Sequence, residues 1–491
     1  MAKFETEVLL LNGVVGTNRL WRTIGPYQIA WWLREHGYQP QVIDFFPYLG
    51  SADFMKLLDH FITEKTKIIA WGLMGSSHEQ AGEAVKVVNK YIPAVRKKYP
   101  WVKFVAGGPW SYYCCQRWPN KTAFDYFVTG YAENGMLAIC EKEIRNGATP
   151  AFEIVSGNKV IKDTTPCHLP SEKLFDIHTS QHRWHERDCI VQGESLPIEL
   201  GRGCIFKCSF CAFPHIGKKN NDFRRDIAKV EEEMLYNNAN FGTTHYYIID
   251  DTFNDSNDKV NEFYKMTQRL PFKIKFSCYL RPDLLDSFDD QAFVLQESGL
   301  LSGYLGVETF NELSAKAIKK PWSAKHGKDY LIKLRNEIWK DKVSFKASMI
   351  IGLPYGTESE YYEYQRWFVD NNIPHWSWKT LHLSRDLSRP FLSEFDREAS
   401  KYGYEWEIDN GTPVWKSQWF KYRDALALME KLDSEKVHLI APDSWDLLEM
   451  QNYGINPTEN LFTKVADLQT ASLANKRKKF IDTYKQNLLN L

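Results

Sequence analysis

The chain has no excess of charge of either sign: Lys and Arg number 62, and Asp and Glu 62, over 491 residues. No global field therefore draws it to nucleic acid or to an anionic membrane, and a long polynucleotide is not its expected substrate. It also lacks any apolar run of membrane-spanning length. Met1 to Glu7 carry charges where a signal peptide needs an apolar stretch, so the expectation is a cytoplasmic, unprocessed protein with no membrane partner. Cysteines are few, nine in all, and unevenly spaced. That pattern argues against a disulfide framework and for a reducing compartment where thiols serve metal chemistry. No internal repeat or low-complexity tract is present, and the length calls for two or three domains.

What is present centres on Gly201-Arg202-Gly203-Cys204-Ile205-Phe206-Lys207-Cys208-Ser209-Phe210-Cys211. Three thiols spaced C-x3-C-x2-C follow Leu196 to Leu200, which reads as a buried strand. Thiolates at such spacing select iron-sulfur or zinc, and a closed zinc site needs four ligands. The nearest other cysteines are Cys189 and Cys278. Three ligands leave one metal corner open; a partial zinc site or three free thiols are the alternatives. The pattern resembles that of the radical S-adenosylmethionine (SAM) enzymes. The resemblance implies a 4Fe-4S cluster on Cys204, Cys208 and Cys211, SAM held at the open iron, and a 5′-deoxyadenosyl radical that abstracts hydrogen from unactivated carbon.

Residues 1–145 alternate buried-strand runs, at 8–11, 41–46, 67–73, 102–108 and 126–130, with helix-compatible stretches at 26–36 and 79–98. This predicts a doubly wound, Rossmann-like parallel sheet whose ligand lies beyond the strands' carboxyl ends. Gly25-Pro26, Leu33 to Tyr38, Gly107-Gly108-Pro109 and Asp125 to Glu133 make the block resemble the cobalamin-binding domain found ahead of many radical SAM cores. The resemblance implies that Asn12, Gly13, Met74, Ser76, Ser77, Gly107, Gly108, Gly130 and Glu133 contact cobalamin. No Asp-x-His-x-x-Gly occurs around His36, His60 or His78, so no histidine is expected beneath cobalt. The alternative is a Rossmann-like domain that serves packing alone.

Residues 146–195, interrupted by Pro150, Pro166 and Pro170, read as a linker. Its His168, His178, His182, His185, Cys167 and Cys189 match no metal-ligand template. From 196 to 384, six strand-helix units fit a partial (β/α)6 TIM-like barrel, with strands at 197–200, 245–250, 273–280, 303–308, 344–351 and 375–383. By the same resemblance, Phe210 seats the adenine, and Asp250 and Asp251 accept hydrogen bonds from the methionine amino group. Arg281 pairs with the methionine carboxylate, Glu308 holds the ribose, and the segment at Gly352 meets adenine. A helix cap, a surface salt bridge and a plain strand-turn are the respective alternatives for the Asp pair, Arg281 and Gly352. Residues 385–491 form a mixed, mainly helical region that resembles no nameable domain and is expected to cover the barrel mouth.

The resemblance points to a cobalamin-dependent radical SAM enzyme, a methyltransferase at an unactivated carbon of a small molecule or peptide. It implies an electron donor such as flavodoxin or ferredoxin. A cyclase or rearrangement enzyme with the same cofactors is the alternative, and a non-enzymatic cobalamin sensor or carrier a further one. A tRNA methylthiotransferase is disfavoured because the amino-terminal block holds only Cys114, Cys115 and Cys140.

Overall fold

The computed structural model describes residues 4–12, 20–45, 48–72, 91–108, 111, 124–155, 158–162, 175–212, 223–288, 290–320, 322, 324–387, 392–468 and 470–491. The chain divides into two compact units. One comprises residues 1–176, 180–192 and 475–491, the other residues 177–179 and 193–474.

The first unit is built on strands β1 (Val8–Leu11), β2 (Pro40–Ile43), β3 (Ile68–Gly72), β4 (Lys103–Gly107), β5 (Tyr126–Thr129), β6 (Glu153–Val155) and β7 (Asn158–Lys162). They form one sheet in the order β2-β1-β3-β4-β5-β7-β6. All neighbours run parallel except β6, which lies antiparallel to β7 at the edge. β1 is apolar throughout and wholly buried, as a strand covered on both faces must be. Helix α1 (Ile24–Glu35) buries Ile24, Tyr27, Gln28, Ala30, Trp31 and Leu33 at helical spacing. It stops where Gly37 takes φ +80 and its N–H reaches the Arg34 carbonyl. The strand order reverses between β1 and β3, which places the switch point beyond Asn12 at the end of β1.

Two expectations are corrected here. The 146–195 stretch, read as a linker, supplies β6 and β7, and β7 extends the sheet by pairing Phe127 with Val160. It also supplies Arg187 and Asp188, both buried. Asp188 takes a two-pronged ion pair from Arg34 at 3.1 and 2.7 Å, and Arg187 reaches Gln41, Thr6 and the Glu5 carbonyl. These buried charges carry no 2- or 3.6-residue period, so sequence pattern could not place them. Residues 475–491, expected in the substrate-covering region, belong instead to this unit. Phe480, Ile481, Tyr484 and Leu488 make a buried stripe on the C-terminal helix Thr470–Leu489. Tyr484 accepts the Asp44 N–H at 2.8 Å, and Lys485 pairs with Asp53 at 2.8 Å. β2 ends at Ile43 rather than continuing to 46.

The second unit holds β8 (Leu196–Ile198), β9 (His245–Ile248), β10 (Lys275–Leu280), β11 (Leu300–Glu308), β12 (Ser344–Ile351) and β13 (His375–Thr380). These pair in sequence order and all in parallel, an open six-stranded partial barrel. The crossovers include α4 (Ile227–Phe241), α5 (Asn257–Arg269) and α6 (Glu358–Asp370). The amino-terminal end of the barrel is closed by α7 (Ser444–Asn452). Its Ser444 Oγ lies 2.9 Å from Ser302 Oγ, Asn452 accepts from the Ser195 N–H and Oγ–H, and Trp445 packs edge-on against Tyr247 and at a tilt against Tyr279. The Asp443 cap of this helix receives Lys346 of β12 at 2.9 Å. A hairpin, β14 (Tyr404–Asp409) and β15 (Thr412–Ser417), reaches the opposite end, where Trp415 donates to the Leu381 carbonyl. The region beyond 385 thus closes the floor of the barrel as well as meeting the ends of its last strands. Among the described residues, no helix is long and apolar enough to cross a membrane.

His375 opens β13 fully buried, its Nδ1 2.7 Å from the Ala441 carbonyl. Burial, then the nearby Lys346 cation and with a smaller share Lys436, push its pKa down to about 3, against the opposite pull of Asp443 and the Ala441 carbonyl. Burial and Lys275 bring His245 to about 4. The unfolded chain binds these protons near pH 6.5 and the folded one does not, so stability present above that pH is lost progressively as pH falls towards the folded values. Thermal unfolding of the barrel unit should therefore drop steeply below about pH 6.5, and His375→Gln should flatten that slope. A slope unchanged in the variant would assign the acid lability to other groups.

Candidate cofactor site at the carboxyl ends of the barrel strands

The three-cysteine loop leaves β8 and is tied to the chain on both flanks. Arg202 N–H donates to the Phe223 carbonyl and Arg225 N–H to the Leu200 carbonyl, both at 2.8 Å. Farther along, Ser209 N–H reaches the Ile318 carbonyl at 3.2 Å, and Phe395 N–H reaches the Ser209 carbonyl at 3.0 Å. Between these ties Gly203 turns the chain at φ +82, and Cys211 N–H closes a tight turn onto the Cys208 carbonyl at 3.0 Å. All three thiols are half-buried and none is in a disulfide. Cys204 Sγ lies 3.3 Å from Thr252 Oγ1, and burial pushes the Cys204 pKa up against that hydrogen bond. Cys278, by contrast, is fully buried in β10, and burial raises its thiol pKa well above the usual range.

Among the described residues, no group of three or more His, Cys, Asp or Glu converges to hold a single metal ion. A polynuclear cluster asks for something else, because its cysteines bind different irons and need only share one loop. Three accessible thiols on one pinned turn fit that requirement, and no fourth cysteine of the barrel unit is accessible beside them.

Beneath the loop lies a buried charge network. Asp250, at the end of β9, accepts the N–H groups of Leu200 and Gly201 at 2.8 and 3.0 Å on one oxygen. Its other oxygen faces Lys259 Nζ at 2.8 Å. Lys259 lies on the buried face of α5, where it also meets Asp255 at 3.1 Å and the Thr252 carbonyl at 3.3 Å. Asp250 is therefore engaged as a loop anchor. Asp251 is half-buried, and its carbonyl accepts the Thr252 hydroxyl at 2.9 Å.

Arg281, after β10, meets the loop directly. Its Nη1 points at Cys208 Sγ at 3.7 Å and its Cζ lies 3.9 Å from the Phe206 ring centroid. The Nε–Nη2 edge, which would fork onto a carboxylate, is occupied by Asp283 at 3.1 and 2.6 Å. Phe210 sits half-buried between the second and third cysteines.

Glu308 ends β11 with φ +69, a conformation that costs a non-glycine residue of order 1–3 kcal/mol. The strand bulges here, since Gly306 and Glu308 pair with successive residues of β12. Lys320 Nζ lies 3.2 Å from Glu308 Oε1 and also donates to the Gly306 carbonyl. A Cβ on Gly306 would stand 2.6 Å from that carboxylate, so a larger residue there would displace the pair from its present position. Gly352, after β12, takes φ +95. Its N–H is 3.3 Å from Tyr361 Oη, its carbonyl accepts from Tyr404 at 2.8 Å, and a Cβ would meet Trp415 at 2.4 Å. Gly352 is thus accounted for by the approach of the hairpin.

The cysteines, Asp250, Thr252 and Arg281 are brought into one constellation, and Glu308 stands at a neighbouring strand end. Lys259, Asp283, Phe206 and Lys320 complete it and went unread in the sequence. A lysine on the apolar face of α5 and the Arg-Pro-Asp triplet at 281–283 were the available signals.

In the first unit, Asn12 is buried at the end of β1, donating to the Thr23 carbonyl at 3.1 Å. Gly107 ends β4, and Gly108 and Gly130 adopt φ +108 and +104. Among the described residues, a Cβ on Gly107 would meet no atom within 4 Å. Glu133 is buried at the start of α3 (Glu133–Glu143). Gly13, Met74, Ser76 and Ser77 lie outside the described residues.

This arrangement defines a partial parallel barrel with a three-thiol loop after its first strand, following a doubly wound sheet in chain order. Residues 198–368 match the family model of the Radical SAM superfamily, so the chain carries a Radical SAM domain after its Rossmann-like sheet. No curated protein matches the chain. Among solved structures, the radical S-adenosylmethionine methyltransferase TsrM from Kitasatospora setae, with tryptophan substrate and a SAM analogue bound, superposes with a TM-score of 0.69 at 13% identity, covering 95% of this chain and 99% of that one. The cobalamin-dependent S-adenosylmethionine radical enzyme OxsB, with aqua-cobalamin and S-adenosylmethionine bound, gives 0.61 at 12% identity, covering 99% and 80%. At these identities the likeness is one of fold.

Replacing Lys259 by Met leaves Asp250 and Asp255 buried without their cation and should cost about 3–5 kcal/mol. The anchored Leu200 and Gly201 amides loosen with it. Iron uptake on anaerobic reconstitution should fall although no thiol has changed. Full stability with full iron loading would show that the network does not hold the loop.

Proposed function

We propose that the protein is a cobalamin-dependent radical SAM enzyme that methylates an unactivated carbon. The observation that carries this reading is the three-thiol loop at the carboxyl end of a superfamily barrel, in a chain whose whole length shares the fold of TsrM and OxsB. Methylation is preferred because TsrM, which spans nearly the same length, is a methyltransferase solved with cobalamin and a [4Fe-4S] cluster. When bound, the cluster and SAM supply a carbon-centred radical and cobalamin supplies the methyl group.

Cys204, Cys208 and Cys211 hold the cluster, and Asp250 keeps their loop in place by binding two of its preceding amides. Phe210, Asp251 and Glu308 face SAM. Glu308 is oriented by Lys320 so that its carboxylate accepts hydroxyl or ammonium donors. Gly352 contributes through the backbone turn that brings Trp415 over the strand end. In the first unit, Asn12, Gly107, Gly108, Gly130 and Glu133, together with Gly13, Met74, Ser76 and Ser77, take cobalamin; among the described residues, a Cβ on Gly107 would meet no atom within 4 Å. The substrate is a small molecule or peptide, the electron donor a flavodoxin or ferredoxin, and the setting the cytoplasm.

Anaerobically reconstituted protein should hold about four irons and four sulfides per chain and cleave SAM to 5′-deoxyadenosine. The triple Cys204/Cys208/Cys211→Ala variant should lose both. Undiminished 5′-deoxyadenosine from that variant would sink the cluster assignment.

Incubated with cobalamin, the chain should retain it through gel filtration. With substrate, SAM labelled at its methyl group should place the label on product carbon and release S-adenosylhomocysteine and 5′-deoxyadenosine together. Complete conversion to unlabelled product would assign a cyclisation or rearrangement instead, and failure to retain cobalamin would remove the amino-terminal assignment.

A further inference from the structure

Arg281 is immobilised from four directions. Its backbone N–H donates to Asn254 Oδ1 at 2.8 Å, and its carbonyl accepts from Asn254 Nδ2 at 3.0 Å. Asn254 is itself fully buried and donates to Gln291 at 2.9 Å. At the far end, Asp283 grips the Nε–Nη2 edge while the Phe206 ring supports the guanidinium plane. What remains is Nη1, and its described acceptor is Cys208 Sγ at 3.7 Å. Phe206 and Cys208 are both on the cysteine loop, so the arginine reads the loop by stacking and by hydrogen bond together.

A guanidinium that only needed neutralising would be served by Asp283 alone. A guanidinium meant for the carboxylate of SAM would keep its forked edge open. Here the Nε–Nη2 fork is closed and Nη1 faces sulfur. Hydrogen bonds to ligand sulfur and nearby charge are among the levers that set a cluster's reduction potential, because one-electron reduction adds negative charge shared by the irons and their thiolates. A fixed cationic donor stabilises that added charge more than the oxidised state.

Building on the proposed cluster at Cys204, Cys208 and Cys211, we infer that Arg281 is a potential-setting residue: it donates to the Cys208 sulfur and raises the reduction potential, with Asp283 and Phe206 as its positioning residues. The reductant stays external. An electron from a flavodoxin- or ferredoxin-class donor, or from dithionite in vitro, enters the cluster, and Arg281 gains no proton and loses none.

The test is a potentiometric titration of the anaerobically reconstituted full chain, followed by paramagnetic resonance of the reduced cluster without substrate, beside a direct measurement of SAM binding. Arg281→Gln should move the midpoint to more negative potential. The ratio of reduced to oxidised cluster at a fixed potential should fall about tenfold, which is about 59 mV for one electron. Arg281→Lys, which keeps the cation, should recover most of the shift, and the iron content of both should stay at the wild-type level. A Gln variant with unmoved midpoint and weakened SAM binding would overturn the inference and return Arg281 to the SAM carboxylate. Should the Gln variant hold no iron, Phe206→Leu removes the stacking face and keeps the arginine and every thiol. A negative shift there supports the assignment and an unmoved midpoint overturns it. A wild-type chain that takes up no cluster would overturn this inference and the proposed function together, whereas a normal cluster with insensitive potential overturns this inference alone.

Discussion

The buried pair of Asp250 and Lys259 is the contact on which the cysteine loop depends. One carboxylate does two jobs at once: one oxygen binds successive amides at the exit of β8, and the other balances a buried lysine. Neither job survives alone. Without the lysine the carboxylate would be a buried charge at heavy cost, and without the carboxylate two loop amides would lose their acceptor. Asp255 and the Thr252 carbonyl complete the lysine's shell, so the segment after β9 is fixed by the same ion that fixes the segment after β8. Thr252 then faces Cys204, which carries the order of this network to the first thiol.

A similar economy governs the other strand ends. Glu308 accepts a strained backbone and a bulge in return for a carboxylate aimed back over Gly306 and held by Lys320. Strain of this kind persists only where the surroundings over-determine it, and it gathers where groups must be presented to a ligand. At the floor of the barrel the demand is different. There α7 brings Ser444 against Ser302 and Asn452 against Ser195, and Lys346 with Asp443 settles the charge that the helix start introduces. The open barrel is therefore closed below by packing, leaving chemistry to the carboxyl ends.

The amino-terminal sheet draws on distant parts of the chain. Its edge is finished by β6 and β7, and the Asp44 amide at the end of β2 is capped by Tyr484 from the last helix. Arg22, wholly buried, hydrogen-bonds the carbonyls of Asp188 and Cys189 and lies against the rings of Tyr27, Phe45 and Tyr484. A cation in such a place is tolerable because every face of it is either hydrogen-bonded or against an aromatic ring.

By itself the sequence determined the cysteine loop, the doubly wound and barrel character of the two strand series, and the glycine turns at their ends. These are local matters: thiol spacing, an apolar run of four or five residues, and a backbone with φ above zero are each written within a few positions. Tertiary structure decided what Asp250, Arg281 and Gly352 do, because each is claimed by a partner that spacing does not announce. Asp250 binds amides 50 residues before it, Arg281 faces a thiol 73 residues before it, and Gly352 takes a hydroxyl 52 residues after it. Tertiary structure also moved residues 475–491 of the last helix, and residues 146–176 and 180–192, into the first unit. The physical reason is the same throughout: a charged or polar side chain shows its chemistry in the sequence but not its partner, and burial makes the partner decide the role.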